Sequence, residues 1–329
     1  MYIGICMKFL KPESHDPYLN LAIEEYLFEN SNDDIFMLWQ NEPSVIIGKN
    51  QNAFAEINLD RLMESNIKIA RRITGGGAVY HDLGNINYTY ISSQNDGVLD
   101  FKKYSEPIIE ALASLGIEAI LSGRNDIMVG EKKVSGNAQH SKKGRVLHHG
   151  TLLFDTDLEM ISDILNPDPE KIKSKAIRSV RSRVANIKPL LSYDLSVSEF
   201  MDSIEKFVIS KLGAEIVEIP SGSQIELLRE RNASSDWIYP KSKLLSDYSL
   251  IRKARYHFGT VEVRLNMQNH IISEVKIVGD FFGNRDVSDV EKLLVGKDIT
   301  SCFELNINIS DYIYGMSNQE FVDLIIKSA

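Results

Sequence analysis

At 329 residues, with 43% hydrophobic and 25% charged residues, the chain holds enough apolar material for one large domain or two. A net charge of −9 argues against whole-molecule attraction to nucleic acid or to an anionic membrane. The two cysteines, Cys6 and Cys302, are far apart, form no metal-ligand spacing and no disulfide framework, and so point to a reducing cytoplasm.

Met1 to Leu10 is apolar but short, without a basic leader or a small-residue cleavage site, so it does not read as a signal peptide. Ile3, Ile5, Met7 and Phe9 alternate, which predicts a first strand. No stretch approaches the roughly 20 apolar residues of a membrane span. Asp16-Pro17 reads as a helix cap and first position, and the spacing of Leu19, Ala22, Ile23, Tyr26 and Leu27 predicts an amphipathic helix over 17–30. Strands are expected at Ile35–Trp39 and Ser44–Gly48, with Trp39 either in the core or on the wall of a ligand pocket. A short helix is expected around Leu59 to Met63.

Arg71 to Ile91 is the most informative stretch. Ile67, Ile69, Arg71 and Ile73 alternate with Lys68, Ala70 and Arg72, so a regular strand sends the two arginines to opposite faces. Gly75-Gly76-Gly77 follows, a run that opens backbone angles closed to other residues and lets a ligand lie against bare N–H groups. A glycine run serves equally to bend a hairpin for packing, and no Gly-Lys-Ser/Thr ending makes this a Walker loop. Asp82 to Asn85 reads as a turn and Ile86–Ile91 as the returning strand of a hairpin.

A helix is expected over 104–115, stopped by Gly116. From Gly123 to Asp155 a strand meander follows: 126–129, 133–140 and 145–155. Strict alternation puts Lys133, Ser135, Asn137 and Gln139 on one face of the middle strand. In the third strand, His149, Thr151 and Leu153 share one face. Small residues (Ser135, Gly136, Gly150) beside Lys133 and His149 leave room for a ligand at the backbone. Residues 157–175 read as helical with a break at Asn166-Pro167, and 177–187 as an irregular basic segment with Arg178, Arg181 and Arg183. Helices are expected at 198–212 and 222–232. From about 246 the texture changes to a hairpin (256–265 and 270–278) and two short helices, 287–294 and 317–328.

Taken together, Arg71, Arg72 and the glycine backbone offer positive potential and N–H donors. Lys133 is a candidate for a transferring phosphorus. Asp126 is a candidate Mg²⁺ ligand, since Mg²⁺ takes one or two carboxylates plus phosphate oxygens. His149 is a candidate to orient a small carboxylate. The set fits nucleotidyl transfer, in which a carboxylate attacks the α-phosphate of ATP; alignment and charge neutralisation matter more there than a protein nucleophile. Read without the family, Lys133 is also compatible with a surface strand lysine and His149 with a structural histidine.

The motifs Arg71-Arg-Ile-Thr-Gly-Gly-Gly-Ala-Val-Tyr-His-Asp-Leu-Gly-Asn85, Gly123-Arg-Asn-Asp126, Lys133-Val-Ser-Gly136, His148-His-Gly-Thr-Leu-Leu153 and Ser179-Val-Arg-Ser-Arg-Val184 closely resemble the lipoate–protein ligase A family of biotin/lipoate ligases. The resemblance runs from about Asp16 through the C-terminal region. It implies an α+β chain, with a large mixed-sheet catalytic domain at 1–246 and a small α+β accessory domain at 247–329. It implies lipoate and ATP giving lipoyl-AMP and pyrophosphate, then transfer of the lipoyl group to a lysine of an acceptor domain. The acceptors implied are E2 subunits of 2-oxoacid dehydrogenases and the glycine cleavage H protein. By motif, Lys133 is the lysine that touches both the α-phosphate and the lipoyl carbonyl. Arg72 and Gly77, Ala78, Val79 and Tyr80 match the nucleotide segment, and Asn125-Asp126 the pair near metal and phosphates. Arg71, Gly75, Gly76, Ser135, Gly136, His149 and Gly150 fall to the lipoyl site, with Trp39 on its wall. His140 stands where the family carries Arg, which puts in question any closing of that side chain over the adenylate.

Two alternatives stay open. A lipoyl or octanoyl transferase of the same fold that works through a thioester needs a pocket cysteine, and neither Cys6 nor Cys302 lies near the motifs. A non-catalytic lipoate or nucleotide sensor would bind without turnover. The basic segments Lys142-Lys143-Gly144-Arg145 and Arg178–Arg183 are the expected docking points for an acidic acceptor.

Overall fold

The computed structural model describes residues 7–93, 99–165, 184–240, 247–299 and 306–326. Three sheets organise them. The largest runs in the order β11-β1-β2-β6-β10-β9-β8-β7, built from β1 (Lys8–Leu10), β2 (Ile35–Trp39), β6 (Asn85–Ser92), β7 (Ala119–Ser122), β8 (Asp126–Val129), β9 (Lys132–Lys142), β10 (Arg145–Leu153) and β11 (Glu215–Ile216). It is mixed: β11, β1 and β2 are parallel, and from β2 to β7 every pair is antiparallel. A second sheet, of three strands, comprises β3 (Ser44–Ile47), β4 (Lys68–Arg71) and β5 (Val79–His81) in the order β4-β3-β5. A third, β12 (Leu250–Tyr256), β13 (Gly259–Gln268) and β14 (Ile271–Gly279), is an antiparallel meander.

Alternation along β2 splits the large sheet into two faces. Phe36 and Leu38 join a core with Tyr88, Phe154 and the helices Phe101–Ser114 and Val197–Leu212. Met37 and Trp39 face the other way, toward the helix Pro17–Asn30 and Ile46 of the small sheet. That helix starts where the Asp16-Pro17 pair predicts, with the Asp16 side chain accepting from the Tyr18 N–H. The helix Val197–Leu212 opens on a Ser196/Glu199 capping box and closes on Gly213 at φ 61. A separate core, made only of residues between Phe258 and Ile325, sits under the third sheet with the helices Ser288–Leu294 and Asn318–Ile326.

The structure corrects the expected central hairpin. β5 pairs with β3, not with β6, and β6 lies in the large sheet between β2 and β10. The turn Asp82–Asn85 therefore carries the chain from one sheet to the other. Alternation marks strands but says nothing about partners far away in sequence. The strand expected at 256–265 begins at Gly259, as β13, and Tyr256 instead closes β12, a strand not expected from sequence. Ile3, Ile5, Cys6, Cys302, the segment after Leu165 and Arg178, Arg181 and Arg183 lie outside the described residues.

Candidate active site

A cavity lies between the inner face of the large sheet and the three-stranded sheet. The large sheet supplies a row that register sets side by side: Trp39 faces Asn87, and Asn87 faces Thr151. Thr151 Oγ1 in turn accepts from the Gly136 N–H at 3.4 Å. The small sheet adds Ile46, Val79 and His81, the helix adds Leu21, and the glycine segment adds Gly76 to Ala78. Of the residues marked from sequence, Trp39, Arg72, Gly76, Gly77, Ala78, Val79, Asn125, Lys133, Gly136, His149 and Gly150 line this one cavity.

Lys133 reaches it through an irregularity. Ile127 of β8 pairs with Ser135, yet the next residue, Met128, pairs with Lys133, so β9 carries one extra residue there. A bulge of this kind re-aims a side chain. It overturns the expected face-sharing with Ser135 and Asn137. The Lys133 ammonium instead lies over Gly136, where a Cβ would stand 2.9 Å from Nζ. Asp126 holds it from the side, Oδ1 to Nζ 2.7 Å. Behind, Ala185 N–H donates to the Lys133 carbonyl at 3.0 Å, so the end of the basic segment runs along this residue. Asn125 is tied to Asn137 by its carbonyl and its amide.

The two arginines do point opposite ways, with different consequences. Arg72 stays at the cavity and braces the glycine segment, donating to Thr74 Oγ1 (3.0 Å) and to the carbonyls of Gly75 (2.7 Å), Gly77 (2.8 Å) and Ile46 (3.1 Å). Arg71 is not at the cavity. Its guanidinium is buried and donates to the carbonyls of Gly48, Lys49, Gln51, Trp237 and Ile238. The lipoyl-site role carried to Arg71 by motif has no geometric counterpart here; the residue ties two loops to β4. Burial lowers both guanidinium pKa values to about 10, so both stay charged near neutrality.

The glycines serve the C-terminal segment as much as a ligand. A Cβ at Gly75 would meet the Phe281 carbonyl oxygen at 2.2 Å. Gly76, at φ +90, donates its N–H to that same oxygen at 3.3 Å, with the Phe282 ring beside it. Gly77 faces open space. Phe282 also packs on Phe101 and under the Arg124 guanidinium, 4.3 Å from the ring centroid. Gly75, Tyr80, Asp126 and Ser135 do not line the cavity, and Tyr80 is packed in a separate cluster with Val45, Ile47 and Ile69. His140 packs edge-on against Phe28. Burial, with Lys49 nearby, lowers its pKa to about 4, so no cation stands at this position near neutral pH.

Sequence reasoning missed a buried chain of polar groups behind the cavity. Glu24, 1% exposed, accepts from Thr89 Oγ1 at 2.6 Å and from His149 Nδ1 at 2.8 Å. Trp39 Nε1 donates to Thr89 Oγ1 at 2.9 Å. His149 Nε2 meets Thr74 Oγ1 at 2.8 Å, the hydroxyl that already accepts from Arg72. Arg72 only donates, so the Thr74 hydroxyl proton is left for His149 Nε2, and His149 donates from Nδ1 to Glu24. In the sequence, Glu24 stands beside Glu25 on a helix and gives no sign of burial. The only hint is its place between apolar Ile23 and Leu27.

Among the described residues no three His, Cys, Asp or Glu side chains group to hold a metal. Among the described residues, too, no helix is long and apolar enough to cross a membrane.

Comparison with known proteins gives a consistent result. The family model described as "Lipoyl protein ligase A/B catalytic domain" matches residues 16–208, and "Bacterial lipoate protein ligase C-terminus" matches 246–325. The chain is 40% identical to a lipoate-protein ligase, LplJ, of Bacillus subtilis, over 94% of this chain and 97% of that protein. Its fold is similar to P. falciparum LipL1 in complex with lipoate (TM-score 0.76, 25% identity, 97% and 98% of the two chains). It is also similar to a bi-partite lipoate protein ligase from Thermoplasma acidophilum, described with its E2 lipoyl domain (TM-score 0.63, 30% identity, 73% and 98%). A lipoate-protein ligase A bound with ATP aligns at TM-score 0.59 and 29% identity, covering 71% and 98%.

Proposed function

The chain belongs to the lipoate–protein ligase family, and we propose that it attaches free lipoate to the acceptor lysine of lipoyl domains in an ATP-dependent reaction through lipoyl-AMP. Relatives described with lipoate, with ATP and with an E2 lipoyl domain support the substrates and the acceptor class. E2 subunits of 2-oxoacid dehydrogenases and the glycine cleavage H protein are the acceptors we propose, in the cytoplasm.

The observation that carries the chemistry is the Lys133 ammonium laid over Gly136, at one end of a cavity whose other walls are largely apolar. A medium-length carboxylic acid fits such a cavity with its carboxylate at Lys133 and its chain along the row toward Trp39. In the first step a lipoate carboxylate oxygen bonds to the α-phosphorus of ATP, and the bond to pyrophosphate breaks. Lys133 lies where it neutralises charge on both reactants, and Arg72 holds the glycine segment in place. In the second step the neutral acceptor amine attacks the acyl carbon, AMP leaves, and the amine proton is released. Lys133 then faces the developing oxyanion, so one cation serves both steps. We assign Arg72, Gly77, Ala78, Val79, Tyr80, Asn125 and Asp126 to the adenylate. Trp39, Gly75, Gly76, Ser135, Gly136, His149 and Gly150 go to the lipoyl group or its immediate support. Asp126, whose carboxylate also holds the Lys133 ammonium, is the residue that would hold a Mg²⁺ ion, which would supply charge neutralisation to the phosphates.

The test is lipoate-dependent ATP–pyrophosphate exchange by the purified protein without acceptor. Exchange is the expected result. No exchange, with transfer from synthetic lipoyl-AMP, makes the protein a transferase. Stoichiometric binding without either activity makes it a sensor.

A further inference from the structure

Two hydrogen-bond donors on the cavity wall have no partner among the described residues: His81 Nε2 and Asn87 Nδ2. Both side chains are almost wholly buried, at 4% and 2% exposure. Buried polar groups without partners are rare in folded proteins, so a pair of them on one cavity needs a physical account.

Their protonation follows from the packing. Asn20 Nδ2 is pinned by the carbonyls of Ser14 and Gln40, and it donates to Asn41 Oδ1 at 3.0 Å. That fixes the Asn41 amide, whose Nδ2 meets His81 Nδ1 at 3.1 Å. Nδ1 of His81 is therefore an acceptor, and the ring proton sits on Nε2. Burial first, then Arg72 and His149, hold the His81 pKa down at about 3, which keeps the ring neutral. For Asn87 the single contact is with its neighbour: Asn85 Nδ2 donates to the Asn87 Oδ1 at 3.0 Å, and the Asn87 Nδ2 is left over.

Their position is at the end remote from Lys133. Asn87 lies two strands from Gly136 in the row Trp39–Asn87–Thr151–Gly136, and Trp39 three strands away. At the usual strand separation these are about 10 Å and about 14 Å. The His81 ring stands edge-on to Trp39, 6.3 Å between centroids. An acyl chain of about eight carbons, with its carboxylate at Lys133, brings its terminus to this pair.

We infer that His81 and Asn87 form a donor pair that reads a lone-pair-bearing terminus on the substrate chain, and so sets the preference for a dithiolane over a plain alkyl end. The inference rests on the reading that the carboxylate lies at Lys133. A saturated chain ending in a methyl group covers both donors without satisfying either. A 1,2-dithiolane offers two sulfur acceptors, weak but present, at the same depth.

The experiment measures pyrophosphate exchange with lipoate, octanoate and 7-oxo-octanoate as the acid. For the native chain we expect a lower KM for lipoate than for octanoate by tenfold or more. We also expect 7-oxo-octanoate, although more polar, to have a lower KM than octanoate, because its carbonyl accepts from the pair. Asn87→Leu should bring the lipoate/octanoate ratio of KM values to within about threefold. If octanoate beats the keto acid in the native chain, or if both acids keep their ratio in the Asn87→Leu and His81→Phe variants, the donor pair is not read and the inference is overturned. The native-chain comparison stands even if a variant fails to fold. No exchange with any acid would instead overturn the ligase reading itself.

Discussion

A Cβ placed on Gly136 would stand 2.9 Å from the Lys133 ammonium nitrogen, closer than real Cβ atoms come. The hydrogen atom of Gly136 is thus what allows the cation to lie flat on its own strand. Because the atom displaced is the end of a flexible side chain, Gly136→Ala should fold normally and push the ammonium off its place. We expect a 10–100-fold loss in pyrophosphate exchange with a melting temperature within about 2 °C of native, consistent with the steep dependence of rate on charge placement. Lys133→Ala should lose both adenylation and transfer from synthetic lipoyl-AMP; near-normal turnover by the folded variant would remove Lys133 from the chemistry.

Arg71 separates a structural role from a substrate role. Five backbone carbonyls accept from its guanidinium. Lysine has three donors on one point and cannot reproduce that fork. Arg71→Lys should lower stability by about 2–3 kcal/mol in urea unfolding, since several buried acceptors lose their donor. A raised KM for lipoate with unchanged stability would return Arg71 to the lipoyl site.

Glu24 anchors His149 and Thr89 from behind the cavity. Glu24→Ala leaves two buried donors facing nothing and should cost about 3 kcal/mol. Glu24→Gln keeps an oxygen in place and should recover most of that stability. If His149 is positioned by this contact, the KM for lipoate should rise in Ala and be partly rescued in Gln. Equal KM values in all three proteins would confine Glu24 to a packing role.

Three buried histidines make folding sensitive to mild acid. Burial lowers the pKa of His81 and His148 to about 3 and that of His140 to about 4. The unfolded chain takes up protons near the ordinary value, about 6.5, and the folded chain does not, so the unfolded state binds more protons as pH falls. The stability from these groups is complete above about pH 6.5 and declines below it, reaching a loss of about 1.4 kcal/mol for each histidine at pH 5.5. Urea midpoints should drop between pH 7 and 5.5; a flat profile would mean that the three rings are reached by solvent.

Docking of an acidic acceptor is expected to involve the β9–β10 turn. Lys142 is already paired with Glu29 at 2.7 Å, which leaves Lys143, exposed at φ 53 on the turn, as the more available charge. Lys143→Glu should raise the acceptor KM several-fold and weaken its salt dependence, with pyrophosphate exchange unchanged. An unaltered salt dependence would exclude this turn.

Local patterns made much of this legible. The helix Pro17–Asn30, strand Ile35–Trp39 and the meander from Asp126 to Leu153 follow from caps, alternation and turn residues, which act within a few positions. The shared cavity of Arg72, Gly76–Val79, Lys133 and His149 was legible only through the joint order of several motifs. What alternation hid has physical causes. β5 belongs with β3 through a long-range pairing. The bulge opposite Ile127 inverts the face of Lys133. Glu24, His81 and Asn87 are polar residues whose burial depends on elements that meet only in the folded chain.

The contact between Gly76 and Phe281 joins two bodies with separate cores, one of them drawn wholly from residues 258–325. Because both belong to one polypeptide, their association is unimolecular and does not dilute. A short tether holds partners at an effective concentration of about 1 mM. A patch with a free-solution Kd of about 0.1 mM would then be engaged about nine-tenths of the time. The contact, which besides Gly76 and Phe281 includes the Gly279 N–H on the Asn50 carbonyl, the Lys49–Asp286 ion pair and Phe282 packed with Leu99, Phe101 and Ala138, therefore has no need of high intrinsic affinity.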